Sequence, residues 1–205
     1  MNALILVDIQ NDFVPGGTLA VNEGDKIIPL VNSLQRSFNL VVATQDWHPA
    51  DHKSFASNHA GKTVFEKISL HGLDQVLWPD HCVQGTHGAE LHVGLNTNQV
   101  EAIFRKGMDR DIDSYSGFYD NGSKRSTGLA GYLRERKVEK VFVCGLAADY
   151  CVAFTAKDAL RENFKTYIIE DATKPIDPGG YQLLRSEILG AGGQVITSDA
   201  LFRHL

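Results

Sequence analysis

Short apolar runs rich in β-branched residues recur along the chain, and most are separated by stretches in which apolar residues return with helical spacing. Runs that are apolar at nearly every position predict strands buried on both faces of a sheet. They occur at Leu4–Val7, Leu40–Thr44, Val100–Phe104, Val141–Gly145, Thr166–Ile169 and Gln194–Thr197. The helical spacing falls at Lys26–Ser37, Thr127–Arg136, Cys151–Glu162 and Gly179–Leu189.

Alternation of strands and helices favours a parallel sheet, because parallel neighbours need crossover connections that place helices on the two faces. The pattern therefore predicts an α/β fold, a three-layer α/β/α sandwich around a mainly parallel six-stranded sheet. With 205 residues, of which 43% are hydrophobic, the chain can build one substantial core. We expect a single domain over residues 1–205.

Charge and cysteine content narrow the classes of partner. The net charge of -5 and the isoelectric point near 5.9 give no basic surface for nucleic acid or an anionic membrane. We therefore expect a small-molecule substrate. Three cysteines do not form a disulfide framework, and the strand-like run after Met1 lacks a signal-peptide pattern, so we expect a cytoplasmic protein.

Cys151 is the best candidate for a nucleophile. The apolar run Val141–Gly145 ends at a glycine, and a small turn then leads to Cys151 at the start of a predicted helix, with Asp149 near its cap. A helix N-terminus favours a thiolate, and its free N–H groups can hold an oxyanion. We expect Cys151 at the exposed mouth of this helix and Cys144, inside the apolar run, in the core.

Two further side chains follow predicted strands. Asp8 ends the first strand and Lys106 follows the third. Taken singly, Asp8 is explained as an ordinary turn aspartate and Lys106 as a solvated loop lysine. A parallel sheet brings strand ends together, however, so we expect both residues near Cys151, with the carboxylate able to move a proton and the lysine able to stabilise a thiolate.

Histidines and carboxylates cluster in a long region between positions 46 and 92 that has weak periodicity. The segment Gln45–His52 directly follows the second strand, and Trp78–His81 joins it later. Imidazoles with one carboxylate suit zinc, iron or manganese, and open α/β sheets bind ligands at the carboxyl ends of their strands. The region therefore predicts a divalent metal site.

These motifs closely resemble the nicotinamidases, also called pyrazinamidases, of the isochorismatase-like cysteine hydrolase superfamily, over essentially the full length. The matching segments are Val7–Phe13, Gln45–Pro49, Trp78–Val83, Lys106–Gly107, Asp113–Phe118 and Gly145–Val152. The resemblance implies an amidohydrolase that converts nicotinamide, and pyrazinamide as well, to the acid and ammonia through a cysteine thioester, in pyridine nucleotide salvage. It also implies one bound divalent ion, with zinc ahead of iron and manganese.

The resemblance further assigns roles to residues. It implies a catalytic triad of Asp8, Lys106 and Cys151, a cis peptide between Leu146 and Ala147, and an oxyanion hole formed by the N–H groups of Ala147 and Cys151. The implied metal ligands are Asp46, His48, His52 and His81. His59 and His71 are alternative candidates for the metal-ligand position given to His52. The substrate ring is expected among Phe13, Leu19, Trp78, Tyr115 and Tyr150.

Three other interpretations remain open at this point. The metal site could activate water in a metallohydrolase in which Cys151 is structural. The chain could be an isochorismatase or another amidase of the superfamily, although this would leave the histidine cluster unexplained. It could also be a metal-storing or ligand-binding protein without catalysis.

Overall fold

Six parallel strands form the central sheet of the computed structural model, which describes residues 1–205. The strands are β1 (Asn2–Val7), β2 (Leu40–Asp46), β5 (Val100–Lys106), β6 (Lys140–Leu146), β7 (Lys165–Lys174) and β8 (Gln194–Ile196). Their order across the sheet is β5-β2-β1-β6-β7-β8, and all neighbours are parallel. Strands β3 (Lys67–Leu70) and β4 (Leu73–Val76) form a separate antiparallel hairpin.

Helices cover both faces of the sheet and bury its alternating side chains. The helices are α1 (Ile28–Leu34), α2 (Leu129–Glu135), α3 (Ala153–Arg161) and α4 (Pro178–Gly190). Along β1, Leu4 and Leu6 belong to the core beneath α1, whereas Ile5 belongs to the core beneath the other three helices. This two-residue alternation between two apolar cores confirms the predicted three-layer sandwich.

Several local elements differ from the prediction. The first helix is shorter than Lys26–Ser37, because single 3₁₀ turns flank α1 at both ends. Strand β7 runs on to Lys174, well beyond the apolar run. The hairpin 67–76 was not predicted, since each of its strands has only four residues and mixes polar with apolar positions. None of the helices is both long and apolar enough to span a bilayer.

The segment that carries Cys151 is not the first turn of a regular α-helix. Residues Ala148–Val152 form a π-helical turn, in which the N–H of Val152 donates to the carbonyl of Ala147 at 3.1 Å. Helix α3 begins only afterwards. Wider turns of this kind occur often at functional sites.

The carboxyl ends of the strands meet where the chain reverses direction across the sheet. From β1 the chain proceeds through β2 to β5 at one edge, then returns to β6 on the other side of β1. Open α/β sheets bind ligands at such a reversal. At Gly145, where φ is +117°, a Cβ would lie 2.1 Å from the carbonyl oxygen of Val7, so glycine allows β6 to approach β1 at this point.

Candidate active site

Lys106 is the centre of a buried group of polar side chains. In the register of β2 and β5, Asp46 lies opposite Lys106. The ammonium Nζ lies 2.5 Å from Asp46 Oδ1, 2.9 Å from Asp8 Oδ2 and 3.4 Å from Cys151 Sγ. Burial opposes the charge of Lys106, but Asp46 and Asp8 outweigh it and raise its pKa well above the ordinary value. The lysine is therefore a permanent cation.

Asp8 has one oxygen in a hydrogen bond and one without an aligned donor. Thr44 Oγ1 donates a hydrogen bond to Oδ1 at 2.6 Å, whereas Oδ2 has the charge contact with Lys106 but no aligned hydrogen bond. Burial raises the pKa of Asp8, and the lysine and the threonine only partly oppose it. A carboxylate in this state is a stronger base than one in water.

Cys151 is buried rather than exposed, which corrects the expectation of an open helix mouth. Only 6% of the residue is accessible, because the π turn directs it inward to Lys106 and Asp8. Burial raises the pKa of the Cys151 thiol well above its ordinary value, against the effect of Lys106. The resting group is therefore a thiol that needs a base. Cys144 is completely buried in the core, as predicted.

The backbone just before the turn of Cys151 offers a free hydrogen-bond donor to the pocket. The Leu146–Ala147 peptide bond is cis, the geometry implied by the family resemblance. The N–H of Ala147 donates no hydrogen bond within the protein, and Ala147 lines the same pocket as Cys151. A buried unpaired donor beside a nucleophile can hold a developing oxyanion.

Three of the four expected metal ligands come together at the other oxygen of Asp46. The ligating atoms of Asp46, His48 and His81 lie within 4.8 Å of one another. Each of the two rings places its Nδ1 2.8 Å from a backbone carbonyl, that of Gly107 for His48 and that of Pro79 for His81. Nδ1 of each ring therefore donates to the carbonyl, and Nε2 faces Asp46 Oδ2 at 3.6 Å for His48 and 3.9 Å for His81.

The fourth expected ligand, His52, lies beside this cluster rather than inside it. It is grouped with His48 and Asp113, and its buried Nε2 has no hydrogen-bond partner. Burial, followed by the neighbouring His48, lowers the pKa of His52 to about 4, so the ring is neutral at physiological pH. The competitors His59 and His71 belong to neither group: His59 lies near the Lys53 carbonyl and His71 is exposed.

The imidazoles are fixed by an aromatic ring and a glycine. Phe55 is completely buried, and its ring centroid lies 5.4–5.5 Å from those of His48, His52 and His81. Gly107, at φ +66°, accepts from His48, and a Cβ here would lie 2.2 Å from the ring atom Cε1. The loop after β5 can therefore support the ring only with glycine at this position.

One pocket opens onto both the thiol and the metal cluster. It is lined by Cys151, by Asp46 and His81, and by all five residues expected to surround the substrate ring: Phe13, Leu19, Trp78, Tyr115 and Tyr150. The rings of Trp78 and Tyr150 meet edge to face with centroids 4.7 Å apart. The walls suit a flat aromatic molecule, and the floor is polar.

Four residues of the site were missed by the sequence analysis. Asp113 and Ile176 line the pocket, Thr44 binds Asp8, and the completely buried Gln10 holds Asp46. The Gln10 amide donates to the Asp46 carbonyl at 2.8 Å and accepts from the Asp46 N–H at 2.8 Å. Gln10 and Asp113 lie within Val7–Phe13 and Asp113–Phe118, two segments that carry the family resemblance. Nothing in the sequence, however, shows which side chains these two residues contact.

Comparisons with known proteins agree with this arrangement. An isochorismatase domain model matches residues 2–200. The nicotinamidase of Acinetobacter baylyi is 52% identical over 96% of this chain and 92% of its own length. The nicotinamidase pyrazinamidase structure of Acinetobacter baumanii, at 50% identity, superposes with a TM-score of 0.96 over 98% of this chain and 97% of its own.

Two related structures contain bound molecules. PnC1 from L. infantum, in complex with nicotinate, is 39% identical, with a TM-score of 0.87 over 98% of this chain and 94% of its own. The pyrazinamidase of Pyrococcus horikoshii, in complex with zinc, is 40% identical, with a TM-score of 0.79 over 96% of this chain and 98% of its own. The chain belongs to the isochorismatase family and, within it, to the nicotinamidases.

Proposed function

We propose that this protein hydrolyses the carboxamide of nicotinamide to nicotinic acid and ammonia, with pyrazinamide as a second substrate. The observation that carries the proposal is that Cys151 contacts Lys106, close to Asp8, and shares one pocket with Asp46 and His81. A nucleophile for the amide and a polar anchor for a ring nitrogen thus face the same aromatic slot. The nicotinamidase relatives and the nicotinate-bound homologue support this substrate class.

In the first half of the reaction, Asp8 takes the proton of the Cys151 thiol as sulfur attacks the amide carbon. Lys106 lies 3.4 Å from the sulfur and stabilises the thiolate as it forms. The tetrahedral intermediate collapses when the C–N bond breaks, and Asp8 gives its proton to the leaving ammonia. The product of this half is a thioester on Cys151.

In the second half, Asp8 removes a proton from a water molecule that attacks the thioester. Breaking the C–S bond then releases the acid, and the proton returns to the sulfur, which restores the resting thiol. The same carboxylate is therefore base and acid in turn, as expected of a group whose pKa is raised by burial.

The N–H groups of Ala147 and Cys151 are proposed to hold the oxyanion in both halves. One donor of this kind contributes about 2.7–4 kcal/mol in comparable enzymes. Because these groups are backbone, no side-chain substitution removes them directly.

The donor set fits a divalent metal ion. Two imidazoles whose Nε2 atoms face one carboxylate, together with the unpartnered Nε2 of His52, form a donor set that suits such an ion. We propose that Asp46, His48 and His81 hold the ion, assisted by His52, and that the ion is zinc. When bound, the ion supplies a Lewis acid for the ring nitrogen, which orients the carboxamide toward Cys151.

We also propose that the reaction belongs to pyridine nucleotide salvage and takes place in the cytoplasm, as the cysteine content suggests.

The proposed hydrolysis needs a direct test of the thioester intermediate. Purified protein should release ammonia and nicotinic acid in equal amounts. Added hydroxylamine should react with the thioester and convert part of the acyl group to the hydroxamic acid. If acylation limits the rate, total ammonia release should not change. Ammonia release without any hydroxamate would favour direct attack by metal-activated water instead.

A further inference from the structure

The carboxylate of Asp149 connects the turn that carries Cys151 to the segment that carries Ile176, another residue of the pocket lining. Its position in the sequence predicts a role near the cap of its own helix, but Asp149 makes no capping bond there. Its Oδ1 instead accepts from the Ile176 N–H at 2.8 Å and its Oδ2 from the Asp177 N–H at 2.7 Å. Asp149 is only 3% exposed, so this two-armed contact is shielded from water.

This contact lies beyond the end of the sheet. Strands β6 and β7 are last paired at Leu146 and Lys174, after which the two chain segments separate. Tyr150 and Cys151 follow the first strand, Ile176 follows the second, and all three line the pocket. Past the last paired residues, the Asp149 carboxylate joins the two segments through both of its oxygens.

We propose that Asp149 is a positioning residue that sets the shape of the aromatic slot by fixing Ile176 relative to Tyr150, and so determines affinity for flat ring amides. The inference rests on the proposed function for its substrate. Asp149 does not touch the reacting atoms. Its loss should loosen one wall, while the bond from the Val152 N–H to the Ala147 carbonyl keeps Cys151 in its turn. Lys106 on β5 and Asp8 directly after β1 lie on other segments and should keep their places.

Asp149→Asn tests the inference, because the amide keeps the shape but presents an NH₂ group to one of the two N–H donors. The KM for nicotinamide should rise about tenfold with kcat within about threefold, as for lost packing against a ring. Alkylation of Cys151 by iodoacetamide, followed on its own peptide by mass spectrometry, should keep its rate. Asp171→Asn is the control, since both oxygens of Asp171 also accept a hydrogen bond, here from the backbone and the side chain of Ser198, on the exposed surface away from the pocket.

A double-mutant cycle identifies the wall involved. Ile176→Ala should raise KM in the same way, and Asp149→Asn should add little in the Ile176→Ala background. Additive effects, an unchanged KM, or a lower kcat with slower alkylation of Cys151 would each overturn the inference. If the asparagine variant does not fold, Asp149→Glu, which keeps the charge and displaces the contact by one methylene, should show the same rise in KM.

Binding of nicotinic acid separates this inference from the proposed function. Isothermal titration should show affinity about tenfold weaker in Asp149→Asn than in the unsubstituted protein. Failure of the unsubstituted protein to release ammonia would contradict the proposed function alone. Equal affinity for nicotinic acid in the two proteins would contradict the role of Asp149.

Discussion

Asp46 and Lys106, opposite each other on β2 and β5, form a buried ion pair at 2.5 Å that joins the two halves of the site. The second oxygen of Asp46 faces His48 and His81. Burial alone would raise the pKa of Asp46, but Lys106 and the imidazoles outweigh it and hold the pKa well below its usual range. One carboxylate thus remains ionised and serves both the cationic lysine and the metal cluster.

Cys151→Ala should abolish turnover. Removal of the nucleophile in comparable triads costs about 10⁴-fold or more in kcat. Cys144→Ala, which removes a buried thiol outside the pocket, is the matched control and should keep ordinary kinetics. Ammonia release from nicotinamide measures both. A Cys151→Ala protein with more than a tenth of the original rate would contradict the thioester mechanism.

The acid side of the pH profile should report Asp8. Asp8 must be ionised to accept the thiol proton, and its pKa is raised by burial. Activity should therefore fall as the pH decreases through a value above about 3.9, the ordinary pKa of an aspartate. The profile of kcat/KM against pH checks this, and an acid limb at or below that value would argue against Asp8 as the base.

Thr44→Val should move this limb upward. The substitution removes the 2.6 Å hydrogen bond that favours ionised Asp8, with little change of shape. Loss of a hydrogen bond to a charged group corresponds to about one pH unit. Thr166→Val, at another buried threonine on β7, should leave the limb in place. A limb that stays fixed in Thr44→Val would show that another group controls it.

Removal of the metal should weaken catalysis without removing the nucleophile. Chelation should lower kcat/KM for nicotinamide about tenfold or more, because the ring loses its orientation, and zinc should restore it. His81→Ala should lower metal content measured by elemental analysis, whereas His59→Ala, outside both ligand groups, should retain it. Equal metal content in the two variants would contradict the ligand assignment.

Gly107→Ala should disturb the metal cluster. The new Cβ would overlap the His48 ring at 2.2 Å, in addition to the strain of a positive φ. Gly128→Ala separates the two effects, since Gly128 also has a positive φ but its new Cβ would meet no atom within 4 Å. Urea unfolding should show a loss of about 1–2 kcal/mol for Gly128→Ala from backbone strain. Gly107→Ala should lose more stability than Gly128→Ala and should also lose metal. Equal losses of stability in the two variants, with the metal retained in Gly107→Ala, would contradict the overlap.

Much of the fold could be predicted because its signal is local and periodic. Apolar spacing indicates the six strands and the three helices at 127–136, 151–162 and 179–189, and the parallel arrangement then places Asp8, Lys106 and Cys151 at one edge. The hairpin 67–76 was not predicted because strands of four residues that mix polar and apolar positions give too short a pattern. The long region between 46 and 92 was recognised as functional only by its residue types.

The sequence by itself determined which groups do chemistry and at which end of the sheet they stand, because strand periodicity and residue type are properties of the chain alone. Tertiary structure decided how these groups meet: that Cys151 is a buried thiol, that Asp46 rather than Asp8 makes the shorter contact with Lys106, and that His52 lies beside the cluster. Asp149 is the clearest case. Its partners lie 27 and 28 residues away, and no local pattern shows that the chain after β7 returns to them.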